Sequence, residues 1–425
     1  MEKIKKMYYS ILKDPFPREM HIIVGNQELV YKKKTWVIDE EKGLRYGENP
    51  DQPAALYEFY QGRLELGGID FRRPSKNYQL VSSISEKDMI QSGKHPGKIN
   101  LTDVDNGINI LQYLTSKKSC VILKHNNPCG VAWSNKGIED AIEKAYFSDR
   151  IAAFGGTLVT NSPITKAAAE FISKYYFEVI AAPEYEQGSV ELLKKRKNLR
   201  ILRIAGLAEL EKLVNEPFLD IKSLVDGGLI LQFSFRNKIL SKDDFLPAEA
   251  TRDGKTIIAR TPTEKEFEDL IFAWAVEAGV TSNSVLFAKD GVTVAIGTGE
   301  QDRVGCVDLT IHKAYVKYAD RLAYEKISMS FYELRQKARQ DNKFKEILEE
   351  INHKVEQDKA GLPGSVMVSD GFFPFRDGVD LAIEQGVTAI AQPGGSINDF
   401  EVIEAVNEAT PQVAMVFTGQ RSFKH

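Results

Sequence analysis

The sequence predicts an α/β protein of two duplicated units, with an N-terminal extension before the first and a helical insertion in the second. Three observations lead there. Short apolar runs alternate with amphipathic segments along the chain, the pattern of layered α/β folds. A helical stretch, Ile138 to Tyr146, returns at Val307 to Tyr315 with apolar residues at the same spacing. The elements flanking the two copies follow in matched order, as duplication would leave them. The first unit, with its extension and a connector, is assigned to residues 1–240. The second takes 241–425, its insertion falling near 325–360.

Each element has its own warrant. Ile22-Ile23-Val24 reads as a strand within the extension. Val121-Ile122-Leu123 reads as a buried strand ending in Lys124-His125. It breaks at Asn126-Asn127-Pro128-Cys129-Gly130, ahead of the Ile138 helix. Val285 to Ala288 holds the same place before the second copy. Leu158-Val159 matches Met367-Val368, and Val179 to Pro183 matches Ala389 to Pro393, each Pro closing a strand. Arg200 to Ile204 and Val413 to Phe417 are the last strands. Residues 205–260 read as a connector with a strand at Leu229-Ile230-Leu231. Ser328 to Lys359 is highly charged and helical, a solvated insertion.

Composition excludes several classes. Hydrophobic content of 43% and charged content of 27% describe an ordinary globular chain. A net charge of −4 offers no broad basic field to nucleic acid or an anionic membrane. No apolar run approaches a membrane span. Met1-Glu2-Lys3-Ile4-Lys5-Lys6 is charged and leads into no signal-type apolar core, so a cytoplasmic protein is expected. Cys120, Cys129 and Cys306 are odd in number and lack Cys-x-x-Cys spacing, and the six histidines are scattered. Neither a disulfide framework nor a metal site is expected.

The chemistry-bearing segments are short. Lys124-His125 at a strand end offers an ammonium that stabilises an oxyanion and an imidazole that moves protons near neutrality. Strand carboxyl ends are where open α/β sheets bind ligands. Arg45-Tyr46-Gly47-Glu48-Asn49-Pro50 is a loop able to grip a phosphorylated ligand. The paired glycines of Ala153-Phe154-Gly155-Gly156 admit a ligand close to backbone. Asn283, in Thr281-Ser282-Asn283-Ser284, can read an amide or base edge. Gly297-Thr298-Gly299-Glu300-Gln301-Asp302-Arg303 joins a strand to a helix and brings Arg303 to the helix start. Its acids argue against a pyrophosphate there. Ser369-Asp370-Gly371-Phe372-Phe373-Pro374-Phe375-Arg376-Asp377 combines rings and carboxylates suited to a flat heterocycle. Arg421 follows the last strand closely. Taken alone, each segment also fits a plain role: a solvated pair, a tight turn, a core cluster.

In combination and order, these segments and Gln392-Pro393-Gly394-Gly395-Ser396 resemble AICAR transformylase, over nearly the whole chain from residue 40. In most organisms that enzyme is the C-terminal part of a bifunctional protein. No counterpart of its N-terminal IMP cyclohydrolase domain is found here, so a separate cyclohydrolase is expected. The resemblance implies two cytidine-deaminase-like three-layer units and a homodimer with active sites at the subunit interface. It implies formyl transfer from 10-formyltetrahydrofolate, as co-substrate, to the 5-amino group of AICAR. His125 would be the base and Lys124 the oxyanion or leaving-group stabiliser. Arg45, Tyr46, Gly47 and Arg421 would hold the nucleotide. Phe154, Gly155, Asn283, Arg303 and Phe372 would surround its base and ribose, and Asp377 would face the pterin. Some family members bind a monovalent cation. The chain departs from the family pattern at Asp51, Glu300 and Ser422. Two rivals stand beside this reading. A non-catalytic AICAR sensor would bind without turnover. A zinc deaminase would need a Cys where Ala132 stands and an upstream His-x-Glu.

Overall fold

The structure is a computed structural model that describes residues 11–12, 14–38, 40–72 and 78–425. The charged segment Met1 to Lys6 lies outside the described residues. The chain is α/β, as expected, and divides into two compact units interleaved along the sequence. One holds the described residues up to Lys118 together with Gly155–Arg236. The other holds Ser119–Phe154 and Asn237–His425.

The duplication is fuller than the sequence pattern suggested. Each copy begins with an edge strand, Met89–Gln91 or Leu246–Pro247, and a 14-residue helix, Lys98–Leu111 or Glu264–Glu277. A β-hairpin follows: Lys118–Lys124 with Asn127–Ser134, or Val285–Lys289 with Val292–Gly297. Then comes a helix, Ile138–Ser148 or Arg303–Ile327. Three strands with intervening helices complete each copy.

One expectation needs correcting here. Asn127-Pro128-Cys129-Gly130 does not break the chain toward a helix; it opens the second strand of a hairpin. Only His125 and Asn126 form the turn, at φ of 54° and 61°. Two consecutive left-handed residues define the turn type whose twist matches paired strands. The Asn-Asn-Pro sequence reads as a loop because Pro is scarce in strands. It is tolerated at the start of one.

In the first unit, Gly156–Thr160, Phe177–Ala182 and Arg200–Arg203 pair in parallel, and Met89–Gln91 closes the edge antiparallel. The N-terminal strands Glu19–Val24, Gln27–Lys34 and Leu56–Gly62 form a separate antiparallel sheet around Leu29, Leu64 and Phe71. Phe177–Ala182 is almost wholly apolar and buried, as a strand covered on both faces requires.

In the second unit, the parallel strands Val366–Ser369, Ala389–Gln392 and Ala414–Phe417 continue through Val285–Lys289 and Val292–Gly297 to Asn127–Ser134. Val285, Phe287, Met367, Ile390 and Met415 anchor its core. The Ser328–Lys359 segment is helical, but it is not simply solvated. Its helices Phe331–Lys337 and Asn342–Gln357 bury Leu334, Ile351 and Val355 against Ala319 and Ala323 of the long helix. Charge fills the outer face and masks this narrow apolar stripe in a composition reading. Among the described residues no helix is long and apolar enough to cross a membrane.

Candidate functional site

The register of the second unit gathers several of the sequence motifs on one edge. Ser369, Gln392 and Phe417 end its parallel strands there. Val285 pairs with both Ser369 and Gly297, so the Ser282–Ser284 turn and the Thr298–Arg303 loop lie on that edge. Ala132 pairs antiparallel with Val292, which brings Asn127 and the His125–Asn126 turn there too. This is the carboxyl-end position at which such sheets bind ligands.

The His125 turn is held from three sides. Asn127 accepts a hydrogen bond from the Thr281 amide at 2.9 Å. Lys424 donates to the Asn126 carbonyl at 3.0 Å and to that of Gly279 at 3.1 Å. Lys124 Nζ donates to the Phe154 carbonyl at 2.8 Å. An ammonium has three protons, so this bond orients Lys124 without exhausting it. His125 is exposed at the tip, beside half-buried Lys124. The second hairpin turns the same way at Asp290-Gly291, where Lys289 again precedes the turn but Asp290 stands in the place of the histidine.

Arg303 is the centre of the buried part. It follows Asp302, which caps the long helix by accepting the Gly305 amide at 2.6 Å. The Arg303 guanidinium pairs with Asp370 and donates to the Ser284 carbonyl at 3.1 Å and to Asn283 Oδ1 at 2.9 Å. Asp370 also accepts from the Ser282 hydroxyl. Three of the five guanidinium N–H donors are thus engaged among the described residues, leaving two for a ligand. The proposed pairing of Asp370 with a heterocycle is corrected by this geometry. The side chain is 0% exposed and committed to Arg303 and Ser282.

The aromatic segment divides by burial. Phe373 lies in the core, Phe372 is half-buried and Phe375 is exposed. The Arg421 guanidinium lies over Phe372 at 5.2 Å and over Phe423 at 5.5 Å. Such contacts hold a cation in place while leaving its outer edge free to bind. Asp377 is exposed at the start of the Asp377–Glu384 helix, accepting its neighbour's amide at 2.7 Å.

The first unit holds Arg45, Tyr46, Gly47 and Gly155. Arg45 is buried, donates to the Lys94 carbonyl at 3.3 Å and to the Tyr46 hydroxyl at 2.9 Å, and stacks on that ring. Gly155, at φ 74°, donates its amide to the Tyr176 carbonyl at 2.8 Å. Arg200, which the sequence reading passed over as a strand residue, is buried here. Its hydrogen bond to the His95 carbonyl is 3.2 Å long. Burial, then the charge of Arg45, pushes its pKa down to about 10. An arginine placed directly before two apolar strand residues, Ile201 and Leu202, is the signal that would have found it. Two buried guanidiniums suit an anion such as a phosphate.

Lys424 and Glu277 were also missed. Lys424 sits in a terminal stretch of the kind that usually frays, and Glu277 reads as the polar end of a helix. Among the described residues no three His, Cys, Asp or Glu side chains converge as a metal-ligand group. Ala132, where a zinc deaminase needs Cys, is buried within a strand.

The chain is similar to known proteins over most of its length. A family model described as AICARFT/IMPCHase bienzyme matches residues 20–313. The bifunctional purine biosynthesis protein PurH of Caldicellulosiruptor saccharolyticus is 34% identical over 382 residues, covering 90% of this chain and 59% of the relative. That of Persephonella marina is 36% identical over 383 residues, with the same coverage of 90% and 59%. That of Aquifex aeolicus is 32% identical over 394 residues, 93% of this chain and 61% of the relative. The chain therefore spans about three fifths of the length of these curated relatives, from 59% to 61%.

Proposed function

We propose, from the premise that this chain belongs to the AICARFT/IMPCHase bienzyme family, that it performs formyl transfer in purine biosynthesis. The substrates would be 10-formyltetrahydrofolate and AICAR, and the products tetrahydrofolate and FAICAR. A new C–N bond forms between the formyl carbon and the 5-amino nitrogen as the bond to the folate N10 breaks. The proton lost by the amine is balanced by one gained at N10.

The AICAR amine is conjugated with a carboxamide and is a weak nucleophile. Removing its proton during attack is therefore valuable, and His125 is assigned that role. A positioned base contributes about 10²–10⁴-fold. Lys124 is assigned the tetrahedral oxyanion or the departing folate nitrogen, a contribution of about 3 kcal/mol for one fixed donor. Asn283, Arg303, Phe372 and Arg421, with Arg45, Tyr46, Gly47, Phe154 and Gly155, are assigned to the nucleotide, and Asp377 to the pterin.

One observation chiefly supports this reading. The Lys124–His125 turn shares a strand-end edge with the Arg303–Asn283–Asp370 network, so reactive and anchoring groups occur together in one unit. We infer a homodimer as well, motivated by the Leu219–Ser223 and Leu229–Phe233 hairpin, whose Leu229, Ile230 and Leu231 are all exposed. Three free cysteines fit a reducing cytoplasm.

The test incubates the purified protein with AICAR and 10-formyltetrahydrofolate and follows both products. Equal release of FAICAR and tetrahydrofolate is expected. AICAR binding without tetrahydrofolate release would overturn the catalytic reading in favour of a sensor.

A further inference from the structure

Behind the Arg303 network lies a carboxyl group that the formyl-transfer reading does not use. Glu277 is the last residue of the Glu264–Glu277 helix and is 0% exposed. The carbonyl end of a helix disfavours a negative charge. Its Oε1 accepts the Ser284 hydroxyl at 2.9 Å, while its Oε2 is buried toward the Asp370 amide and, among the described residues, makes no hydrogen bond of ordinary geometry. Ser284 is itself fully buried, and its carbonyl accepts from Arg303 at 3.1 Å and from the Asp370 amide at 3.3 Å. Glu277 therefore touches a residue whose backbone joins Arg303 to the Asp370 loop.

We propose that Glu277 is a positioning residue for the nucleotide site: a neutral acid that fixes Ser284, and through it the aim of Arg303. This inference rests on the reading of Arg303 as a nucleotide contact. Charge balance supports the neutral form. One guanidinium, Arg303, faces two carboxyl groups, and Asp370 already pairs with it. An ionised Glu277 would add an uncompensated buried charge, which proteins avoid by protonation. Burial, then the Asp370 charge, raises its pKa well above the usual carboxylate range. The charged and titratable groups facing it are Asp370, Arg303 and Cys306. Ionisation would set a second anion against Arg303 and loosen its pairing with Asp370.

The test compares the full chain with Glu277→Gln, Glu277→Ala and Ser284→Ala variants. Equilibrium binding of AICAR is measured from pH 6 to 10, beside steady-state kinetics. The amide keeps the shape and the hydrogen-bond acceptor. Glu277→Gln is expected to bind within twofold of the parent at neutral pH and to lose any alkaline fall in affinity that the parent shows. Glu277→Ala and Ser284→Ala are expected to weaken binding about tenfold, the scale of one lost buried hydrogen bond. The loss should appear in KM more than in kcat. A Gln variant as weak as the Ala variant would overturn the role, as would an Ala variant binding within twofold. Should Glu277→Ala fail to fold, Gln and Ser284→Ala decide by the same limits. A parent protein that binds no AICAR removes the formyl-transfer reading and this one together. Normal parent binding with insensitive variants removes only this one.

Discussion

His125 stands at a turn tip with its imidazole exposed, while Asp370 is sealed and fully paired. The two residues therefore fail differently when changed. Replacing His125 by Ala removes the proposed base and little packing. Turnover should fall about 10²–10⁴-fold with AICAR affinity nearly intact, as kinetics and equilibrium binding on the same sample will show. Near-normal turnover would take His125 out of the mechanism. Asp370→Ala strands a buried guanidinium. Loss of about 3–5 kcal/mol is expected in urea unfolding, the range for breaking a buried pair from one side. Glu277 adds a pH dependence of stability. Its raised pKa means that the folded state holds its proton to a higher pH than the unfolded chain does. Its stabilising effect is complete below the ordinary carboxylate range and declines as pH rises toward the folded value. Melting temperature should decline over that window in the parent and less steeply in Glu277→Gln. Equal profiles would argue against a buried neutral acid.

The two hairpins show how one element serves two ends. Both turn through consecutive left-handed residues, His125-Asn126 and Asp290-Gly291. In the second, Gly291 lies so close to Trp133 that an added Cβ would sit 1.8 Å from its indole nitrogen. Gly291→Ala should cost at least ~2 kcal/mol through overpacking and backbone strain, measurable as a lower urea midpoint. A variant as stable as the parent would show that the Trp133 contact is soft. The insertion makes a comparable test. Leu334 is completely buried at the seam with the long helix, and Leu334→Ala should cost about 2–5 kcal/mol. A truly solvated insertion would register almost no change.

Across the whole molecule, much of the fold was legible because apolar strand cores and Pro stops recur in order. The paired hairpins were not, since Asn126-Asn127-Pro128 looks locally like a loop and only pairing with a neighbouring strand makes it an element. Lys124, His125 and Arg303 stood out by type and place, and the fold sets them on one strand-end edge. Arg200, Glu277 and Lys424 did not stand out, because their meaning depends on burial and on contacts with residues distant in the chain. Assembly is testable at this scale too. Leu231→Asp in the exposed hairpin should shift sedimentation toward monomer if the inferred homodimer uses that surface. An unchanged species would direct attention elsewhere. Finally, Lys424 bridges to Asn126 across nearly three hundred residues of sequence. The order of the His125 turn is thereby set in part by a side chain that nothing in its own neighbourhood of sequence reveals, and Lys424→Met would loosen it without touching Lys124 or His125.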